Sequence, residues 1–224
     1  MIDIFRLVPE GAVNIFLSLI NDVMTHRKKR QGTYHDFIQY LEDLKNQASG
    51  YSDDEIIAGC VTFFFEAHET ITTVISHVLY NLALNENVQK KSRQEIQQAF
   101  ERSKREWTFE AILELPYLDS IILETHRKFP VSFGLKKLCT ERYEMDIGKD
   151  KPLVVEKGTS IWIPTYGIHN DDLYWDDVET FKPERFFHHE QITAKTKGIF
   201  LPFGDGPRMC IGKIFTHITK ILFC

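Results

Sequence analysis

Several features that mark common protein classes are scarce in this sequence. The 224 residues include four cysteines, and no two of them form a C-x-x-C pair. This usage argues against a disulfide framework or a zinc site and suits a reducing compartment. Lysine and arginine number 27 against 32 for aspartate and glutamate, so the chain lacks the positive charge expected of a nucleic-acid-binding protein. No apolar run reaches the roughly 18 residues that span a bilayer, which predicts that no helix of this chain crosses a membrane.

The remaining composition is that of an ordinary globular protein. Hydrophobic residues make up 43% of the chain and charged residues 26%. These values argue against a disordered or fibrous protein. The length allows one domain or two.

Helical signals dominate the first half of the chain. Apolar residues spaced by three and four predict helices over 10–30 and 34–47. A longer helix is predicted from Ser52 to about Leu84, because Ser52 and Glu55 have the spacing of a capping box and the apolar pattern continues to Leu84. Such a helix would be roughly 45 Å long at about 1.5 Å per residue.

Two more helices are predicted before the first predicted β segments. One is a polar helix over about 86–102, and the next begins at Pro116, a favoured first helical residue, and stops before Pro130. Beyond it, Leu153–Val155 and Thr159–Ile163 are predicted to form a small hairpin.

The chain from about 164 to 206 is predicted to be mostly irregular. A stretch of this length without regular structure is uncommon in a compact domain and usually has a function. A last helix is predicted to begin near Cys210 and to continue to Cys224.

The segment F-G-D-G-P-R-M-C-I-G, at residues 203–212, carries the strongest chemical signal. Gly204 and Gly206 permit backbone angles that other residues resist. The thiolate of a cysteine such as Cys210 is a metal ligand, and Arg208 places a positive charge two residues away. Taken alone, a single cysteine in a turn is more often a buried structural residue.

This segment resembles the haem-binding loop of the cytochrome P450 family, F-x-x-G-x-R-x-C-x-G. The matching positions are Phe203, Gly206, Arg208, Cys210 and Gly212. The resemblance implies that Cys210 is the axial thiolate ligand of haem iron and that Arg208 pairs with a haem propionate. It also places Phe203, Gly204 and Gly212 at the cofactor.

Two further strings resemble motifs of the same family. Glu124 and Arg127 fit E-x-x-R, at about the family's interval before the cysteine, and Arg185 lies in a P-E-R-F string. The resemblance implies that these three side chains form a buried trio that locks the loop region against the helices. The alternative for E-x-x-R is an exposed helical pair, which is worth only about 0.2–0.5 kcal/mol.

The long helix carries a polar stripe, which comprises Glu66, Glu69, Thr70, Thr73 and His77. Periodicity alone favours a water-facing stripe. The resemblance instead places Glu69 and Thr70 at the acid–alcohol pair of the motif A/G-G-x-D/E-T, which implies a role in proton delivery. Glu66 and Ala67 depart from that motif, and Glu66 would either block the space over the haem or add a proton donor.

Two other positions are interpreted through the resemblance. The family commonly places a propionate-binding arginine beyond the Pro130 turn, and Lys137 is the candidate for that role here. A lysine is a point charge and not a bidentate fork, so it would hold the propionate more loosely. His169, in the string Y-G-I-H-N, is interpreted as structural and not as an iron ligand.

The resemblance implies a mostly α fold, the C-terminal half of the cytochrome P450 fold, with a long central helix, small β hairpins and a haem loop with a cysteine ligand. It is expected to be truncated at both ends. We expect one partial domain over 1–224, with a helical part at about 10–130, a β and meander region at about 131–202, and the haem-binding loop and last helix at 203–224.

The function implied by the resemblance is that of a microsomal, xenobiotic-type monooxygenase. Such an enzyme inserts one oxygen atom from O2 into a lipophilic small molecule, such as a xenobiotic, a steroid or a fatty-acid-like compound. Its electrons come from NADPH through NADPH-cytochrome P450 reductase, and the full-length form is associated with the cytosolic face of the endoplasmic reticulum membrane.

Two alternatives to this function remain open. The chain could be a catalytically inactive fragment or isoform that at most binds haem. A haem-thiolate isomerase or dehydratase on the same fold is the other alternative, although the retained Glu69-Thr70 pair argues against it.

Overall fold

The computed structural model describes residues 9–30, 32, 34–47, 50–148, 151–187 and 198–213. The helices are α1 (Glu10–Arg30), α2 (Phe37–Gln47), α3 (Asp53–Leu84), α4 (Glu86–Arg102), α5 (Phe109–Leu113), α6 (Pro116–Lys128) and α7 (Thr165–His169). The strands are β1 (Leu135–Leu138), β2 (Tyr143–Met145), β3 (Leu153–Val155) and β4 (Ser160–Ile163), and a 3-10 helix covers Pro183–Phe186. The predicted mostly α architecture is confirmed.

The start of the long helix is set by its own sequence. The backbone N–H of Ser52 donates to Glu55 Oε2 at 2.8 Å, and the backbone N–H of Glu55 donates to Ser52 Oγ at 3.2 Å. This reciprocal pair is the predicted capping box, and it satisfies amide groups that have no partner inside the helix. The predicted helix from Ser52 to about Leu84 is confirmed.

Two helical segments differ from the sequence prediction. Helix α2 begins at Phe37 and not at residue 34, because the carboxylate of Asp36 accepts the backbone N–H of Gln39 at 3.1 Å and caps the helix there. The short helix α5 was not predicted. It is capped by Thr108, whose hydroxyl accepts the backbone N–H of Ala111 at 3.2 Å.

The predicted pairing of the strands is wrong. Strand β3 pairs antiparallel with β2, and β4 pairs antiparallel with β1, so the two segments expected to form one hairpin belong to different sheets. The turn between them does exist, because the N–H of Thr159 donates to the carbonyl of Glu156 at 3.1 Å. However, the backbone groups of Gly158 and Thr159 are bonded to Cys139, which prevents the two arms from pairing with each other.

The segment from 164 to 206 is largely irregular where it is described, with α7 and the 3-10 helix as its regular elements. The predicted last helix falls mainly on residues 214–224, which lie outside the described residues. Among the helices that the structure describes, none combines the length and the apolar character needed to cross a membrane.

The chain divides into two compact units, residues 1–70 and residues 71–224. The first unit has an apolar core drawn from α1 and the first part of α3: Ile20, Met24, Ile56, Ile57, Cys60 and Val61. Side chains of α2, including Phe37 and Leu41, pack against this core.

The core of the second unit is built around α6. It comprises Val74, Val78, Leu82, Ala99, Leu115, Tyr117, Leu118, Ile121, Ile122 and Phe181. Helix α6 is buried on every side from Glu124 to Arg127. A helix that is surrounded in this way is a core element, and charged side chains on it need partners within the protein.

Candidate functional site

The carboxylate of Glu124 lies between two guanidinium groups. Arg127 donates from Nε to Glu124 Oε2 at 2.9 Å and from Nη2 to Oε1 at 3.0 Å, while Arg185 donates from Nε to Oε1 at 3.1 Å. The Lys182 backbone N–H also donates to Oε1 at 3.0 Å. The side chains of Glu124 and Arg127 are fully buried, and that of Arg185 is 11% exposed.

The two arginines also bind the backbone of the irregular segment. Arg127 donates to the carbonyl of His169 at 3.0 Å and to that of Val178 at 2.9 Å. Arg185 donates to the carbonyls of Asp176 at 2.7 Å and Asp177 at 3.0 Å. Because irregular backbone cannot satisfy its own carbonyl groups, the Arg127 bonds fix the segment to α6 and the Arg185 bonds hold the segment to itself.

Helix α6 is itself held from a neighbouring helix. The carboxylate of Glu95, on α4, accepts the backbone N–H groups of Tyr117 at 2.7 Å and Leu118 at 2.9 Å. Both amides lie in the first turn of α6, where they have no partner inside the helix and where a negative charge is favourable. This contact places the helix that carries Glu124 and Arg127.

Two buried imidazoles connect this ion-pair cluster to the cysteine loop. The backbone N–H of Leu201 donates to His169 Nε2 at 2.8 Å, and the ring of His126 packs edge-on against Phe203 with centroids 5.1 Å apart. Burial lowers the pKa of each ring to about 4. Both imidazoles are therefore neutral at physiological pH.

The cysteine loop is closed by backbone hydrogen bonds. The N–H of Cys210 donates to the carbonyl of Phe203 at 2.9 Å, and the N–H of Met209 donates to the carbonyl of Gly206 at 3.1 Å. Gly204 and Gly206 have φ angles of 72° and 82°, which side-chain-bearing residues seldom adopt. The two glycines therefore adopt backbone angles of the kind that the sequence analysis says they permit.

The loop presents its thiol to the outside. Cys210 and Arg208 are exposed, and the large apolar side chains of Ile211 and Met209 are 71% and 44% exposed. A methyl group on Gly212 would lie 3.6 Å from Cys210 Sγ, so a larger side chain there would cover the sulfur. An accessible thiol with apolar neighbours and a nearby cation suits a flat, apolar, anionic metal complex, and the residues present therefore fit haem.

Lys137 lies on the strand that contacts the loop. A methyl group on Gly204 would lie 3.8 Å from Leu135 Cδ1, so the loop runs alongside β1. Leu135 and Lys137 are both half-buried and are two residues apart, which puts them on the same face of the strand. Lys137 is thus on the strand face that meets the loop.

Glu69 and Thr70 lie in the first unit, whereas the cysteine loop lies in the second. Both side chains are exposed, as is Glu66, and the Thr70 hydroxyl donates to the carbonyl of Glu66 at 2.7 Å. Farther along the predicted stripe, His77 is half-buried and its ring stacks on Phe129 with centroids 4.8 Å apart.

Sequence reasoning missed His126. It lies between Glu124 and Arg127 in a turn of α6 that is buried at every position, so no periodic pattern distinguishes it. The signal that could have found it is the E-x-x-R string itself, which contains His126. A polar ring inside a buried motif calls for an explanation, such as a hydrogen-bond partner or a functional role.

Comparisons with known proteins match nearly the whole chain. Residues 8–224 match the family described as Cytochrome P450. The chain is 34% identical to probable cytochrome P450 6a13 of Drosophila melanogaster over 213 residues, which cover 94% of this chain and 42% of that relative. It is also 34% identical to cytochrome P450 3A13 of Mus musculus over 218 residues, which cover 95% of this chain and 42% of that relative.

The chain therefore spans less than half the length of the curated relatives that it matches. The matched region contains the cysteine loop, the buried ion-pair cluster and the long helix. On this family match and these identities, the chain belongs to the cytochrome P450 family.

Proposed function

We propose that this chain is the haem-binding part of a monooxygenase that inserts one oxygen atom from O2 into a lipophilic small molecule. The observation that carries the proposal is the exposed Cys210, on a loop whose Leu201 amide is bonded to the buried His169 and whose Phe203 ring packs against the buried His126. Haem, when bound, would supply the activation of O2, for which a thiolate ligand is suited.

The role of the loop is to hold one sulfur in one orientation. Cys210 provides Sγ as the iron ligand, and the hydrogen bond from its N–H to the Phe203 carbonyl sets the direction of the residue. Phe203, Gly204 and Gly212 shape the surface around the sulfur. Glu124, Arg127 and Arg185 act as the scaffold, because the Arg127 bonds and the Glu124–Arg185 pair fix the segment that precedes the loop to α6.

Arg208 and Lys137 supply positive charge for the haem propionates. Arg208 is exposed on the loop itself, and Lys137 lies on the strand face beside it. A guanidinium can bind a carboxylate through two parallel hydrogen bonds, whereas an ammonium binds it as a point charge. We therefore assign the stronger propionate contact to Arg208.

Glu69 and Thr70 are proposed to deliver protons. The Thr70 hydroxyl donates its proton to the Glu66 carbonyl, so the lone pairs of Oγ1 are available to accept a proton. A neighbouring carboxyl group such as that of Glu69 can supply it. Glu66, which stands where the family motif has a small residue, adds a second exposed carboxylate to this part of α3.

Membership of the family supports the remaining parts of the proposal. We propose electron supply from NADPH through NADPH-cytochrome P450 reductase, and association of the full-length protein with the endoplasmic reticulum membrane on its cytosolic face. We also propose a single partial domain over 1–224, with the helical, meander and loop regions stated above.

The test of the cofactor proposal is the spectrum of the full chain after haem is supplied, reduced and exposed to CO. The wild-type protein should show a thiolate-type absorption band, and Cys210→Ala should lose it. Cys139→Ala is the matched control, because Cys139 is a half-buried free cysteine in the same unit whose thiol donates to the carbonyl of Glu141. A band that survives in Cys210→Ala would refute the assignment.

The test of catalysis is turnover of the haem-loaded chain with a reductase and NADPH. Oxygenated product that depends on Cys210 supports the monooxygenase proposal. A protein that binds haem through Cys210 but yields no product would show that the chain only binds the cofactor. In that case Thr70→Ala, which changes a residue proposed for proton delivery and not for haem binding, should have the same haem spectrum as the wild type.

A further inference from the structure

The side chain of His169 uses both of its ring nitrogens. Nε2 accepts the backbone N–H of Leu201 at 2.8 Å, and Nδ1 lies 3.3 Å from the carbonyl oxygen of His126. Because Nε2 is an acceptor, the single proton of the neutral ring is assigned to Nδ1, which donates to that carbonyl. The ring is completely buried and spans the distance between α6 and the segment that leads into the cysteine loop.

The Leu201 amide is closely linked to the cysteine through the backbone. The carbonyl of Leu201 accepts the N–H of Gly204 at 3.2 Å and so forms a turn. Within this turn, the carbonyl of Phe203 accepts the N–H of Cys210 at 2.9 Å. A shift of Leu201 would therefore move the acceptor that orients Cys210.

The second imidazole supports the same turn from the other side. His126 supplies the carbonyl that holds His169 Nδ1, and its own ring packs against Phe203. His126 Nε2 is buried and has no hydrogen-bond partner within the described part of the chain. The ring of His126 therefore supports the turn by packing against Phe203.

We propose that His169 is a positioning residue for Cys210, which it orients through the backbone of Leu201 and Phe203 without touching the thiol. This inference rests on the proposed role of Cys210 as the haem ligand. It goes beyond that role because it assigns the orientation of the sulfur to the hydrogen bond between His169 and Leu201, two residues that are 32 positions apart in the chain.

The role of the His169 side chain can be tested separately from the hydrogen bonds that its backbone makes. The His169 carbonyl is held by Arg127 at 3.0 Å, and the preceding Ile168 carbonyl is held by Trp175 Nε1 at 3.1 Å. Both bonds are made by main-chain atoms of α7, so a substitution at position 169 leaves them in place. Such a variant removes the contact with Leu201 and keeps the end of the helix.

The experiment compares His169→Gln with His169→Asn. The amide oxygen of glutamine reaches about as far as Nε2 and can accept the Leu201 N–H, whereas asparagine reaches only about as far as Nδ1 and keeps only the contact with the His126 carbonyl. Amide hydrogen exchange is measured first, on the full chain without haem. Exchange at Leu201 should be about tenfold faster in His169→Asn, the factor expected for one lost hydrogen bond, and close to the wild-type rate in His169→Gln.

The second measurement is the CO spectrum of the same proteins after haem is supplied. The thiolate-type band, relative to total haem, should fall in His169→Asn and be restored in His169→Gln. Equal bands in both variants, or equal exchange at Leu201, would overturn the inference. If Cys210→Ala abolishes the band while both His169 variants resemble the wild type, the function stands and the inference fails.

The wild-type protein gives a further test if a variant does not fold. The Leu201 amide should exchange about as slowly as the buried amides of α6. Exchange as fast as that of an exposed loop amide would show that His169 does not hold the segment.

Discussion

Replacing Glu124 by alanine should strongly destabilise the second unit. The carboxylate is fully buried and accepts four hydrogen bonds, three from Arg127 and Arg185 and one from the Lys182 backbone. Its removal leaves the buried Arg127 guanidinium without its counter-charge. The loss of one partner from a buried ion pair costs roughly 3–5 kcal/mol in the free energy of unfolding.

The assay is urea unfolding of the full chain followed by tryptophan fluorescence. All three tryptophans, Trp107, Trp162 and Trp175, lie in the second unit, so the signal reports on the unit that contains the cluster. Trp175 is a direct reporter, because it is buried and its ring lies 5.8 Å from the Arg127 guanidinium carbon.

Lys90→Ala is the matched control. Lys90 pairs with Glu86 at 3.0 Å, but both side chains are well exposed, so the loss should stay within about 0.5 kcal/mol. A double-mutant cycle of Glu124→Gln with Arg185→Gln then measures the coupling between those two side chains. A destabilisation by Glu124→Ala as small as that of Lys90→Ala would refute the reasoning that the cluster is buried and interdependent.

Three further predictions concern the β pairs, the helix cap and the two histidines. Gly134→Ala should lower stability by about 1–3 kcal/mol in the same assay, because its Cβ would meet the Trp162 ring and lie 2.8 Å from the Ile163 carbonyl oxygen. Ser52→Ala should cost about 1 kcal/mol, measured by the helical circular dichroism signal in urea, because it removes the capping box of α3. Acid should weaken the second unit, because burial lowers the pKa of His126 and His169 to about 4, below the value near 6.5 of an exposed ring. The unfolded chain then binds more protons between these pH values, so stability should fall as the pH drops from about 6.5 to about 4, by up to roughly 3 kcal/mol for each ring.

Each of these predictions has its own contradicting result. Gly167→Ala, whose Cβ would lie at an ordinary 3.8 Å from Pro164, should be nearly neutral, and equal effects at Gly134 and Gly167 would argue against the clash. An unchanged unfolding midpoint in Ser52→Ala would show that the cap contributes nothing. His126→Phe should flatten the pH dependence, because it removes one of the two rings whose pKa is lowered to about 4 by burial. A pH profile identical to that of the wild type would mean that His126 does not titrate as stated.

The helices were predictable because their signals are local. A capping box spans only Ser52 and Glu55, and Pro116 marks the first residue of α6 without reference to the rest of the chain. The start of α2 differs from the prediction because a local contact, the cap formed by Asp36, sets the first residue of the helix. The strand pairing failed for a different reason, because the partners of the turn at Gly158 come from Cys139, which is distant in sequence.

By itself, the sequence determined the family, the helical half of the fold, the cysteine loop and the spacing of Glu124 and Arg127 on one helix face. Only the tertiary structure decided that α6 is buried at every position from Glu124 to Arg127, that Arg185 reaches Glu124 from 61 residues away, and that two neutral histidines join this cluster to the loop. Periodicity and capping depend on residues within a few positions of one another. Burial and long-range hydrogen bonds depend on which segments pack together, and no local pattern specifies that.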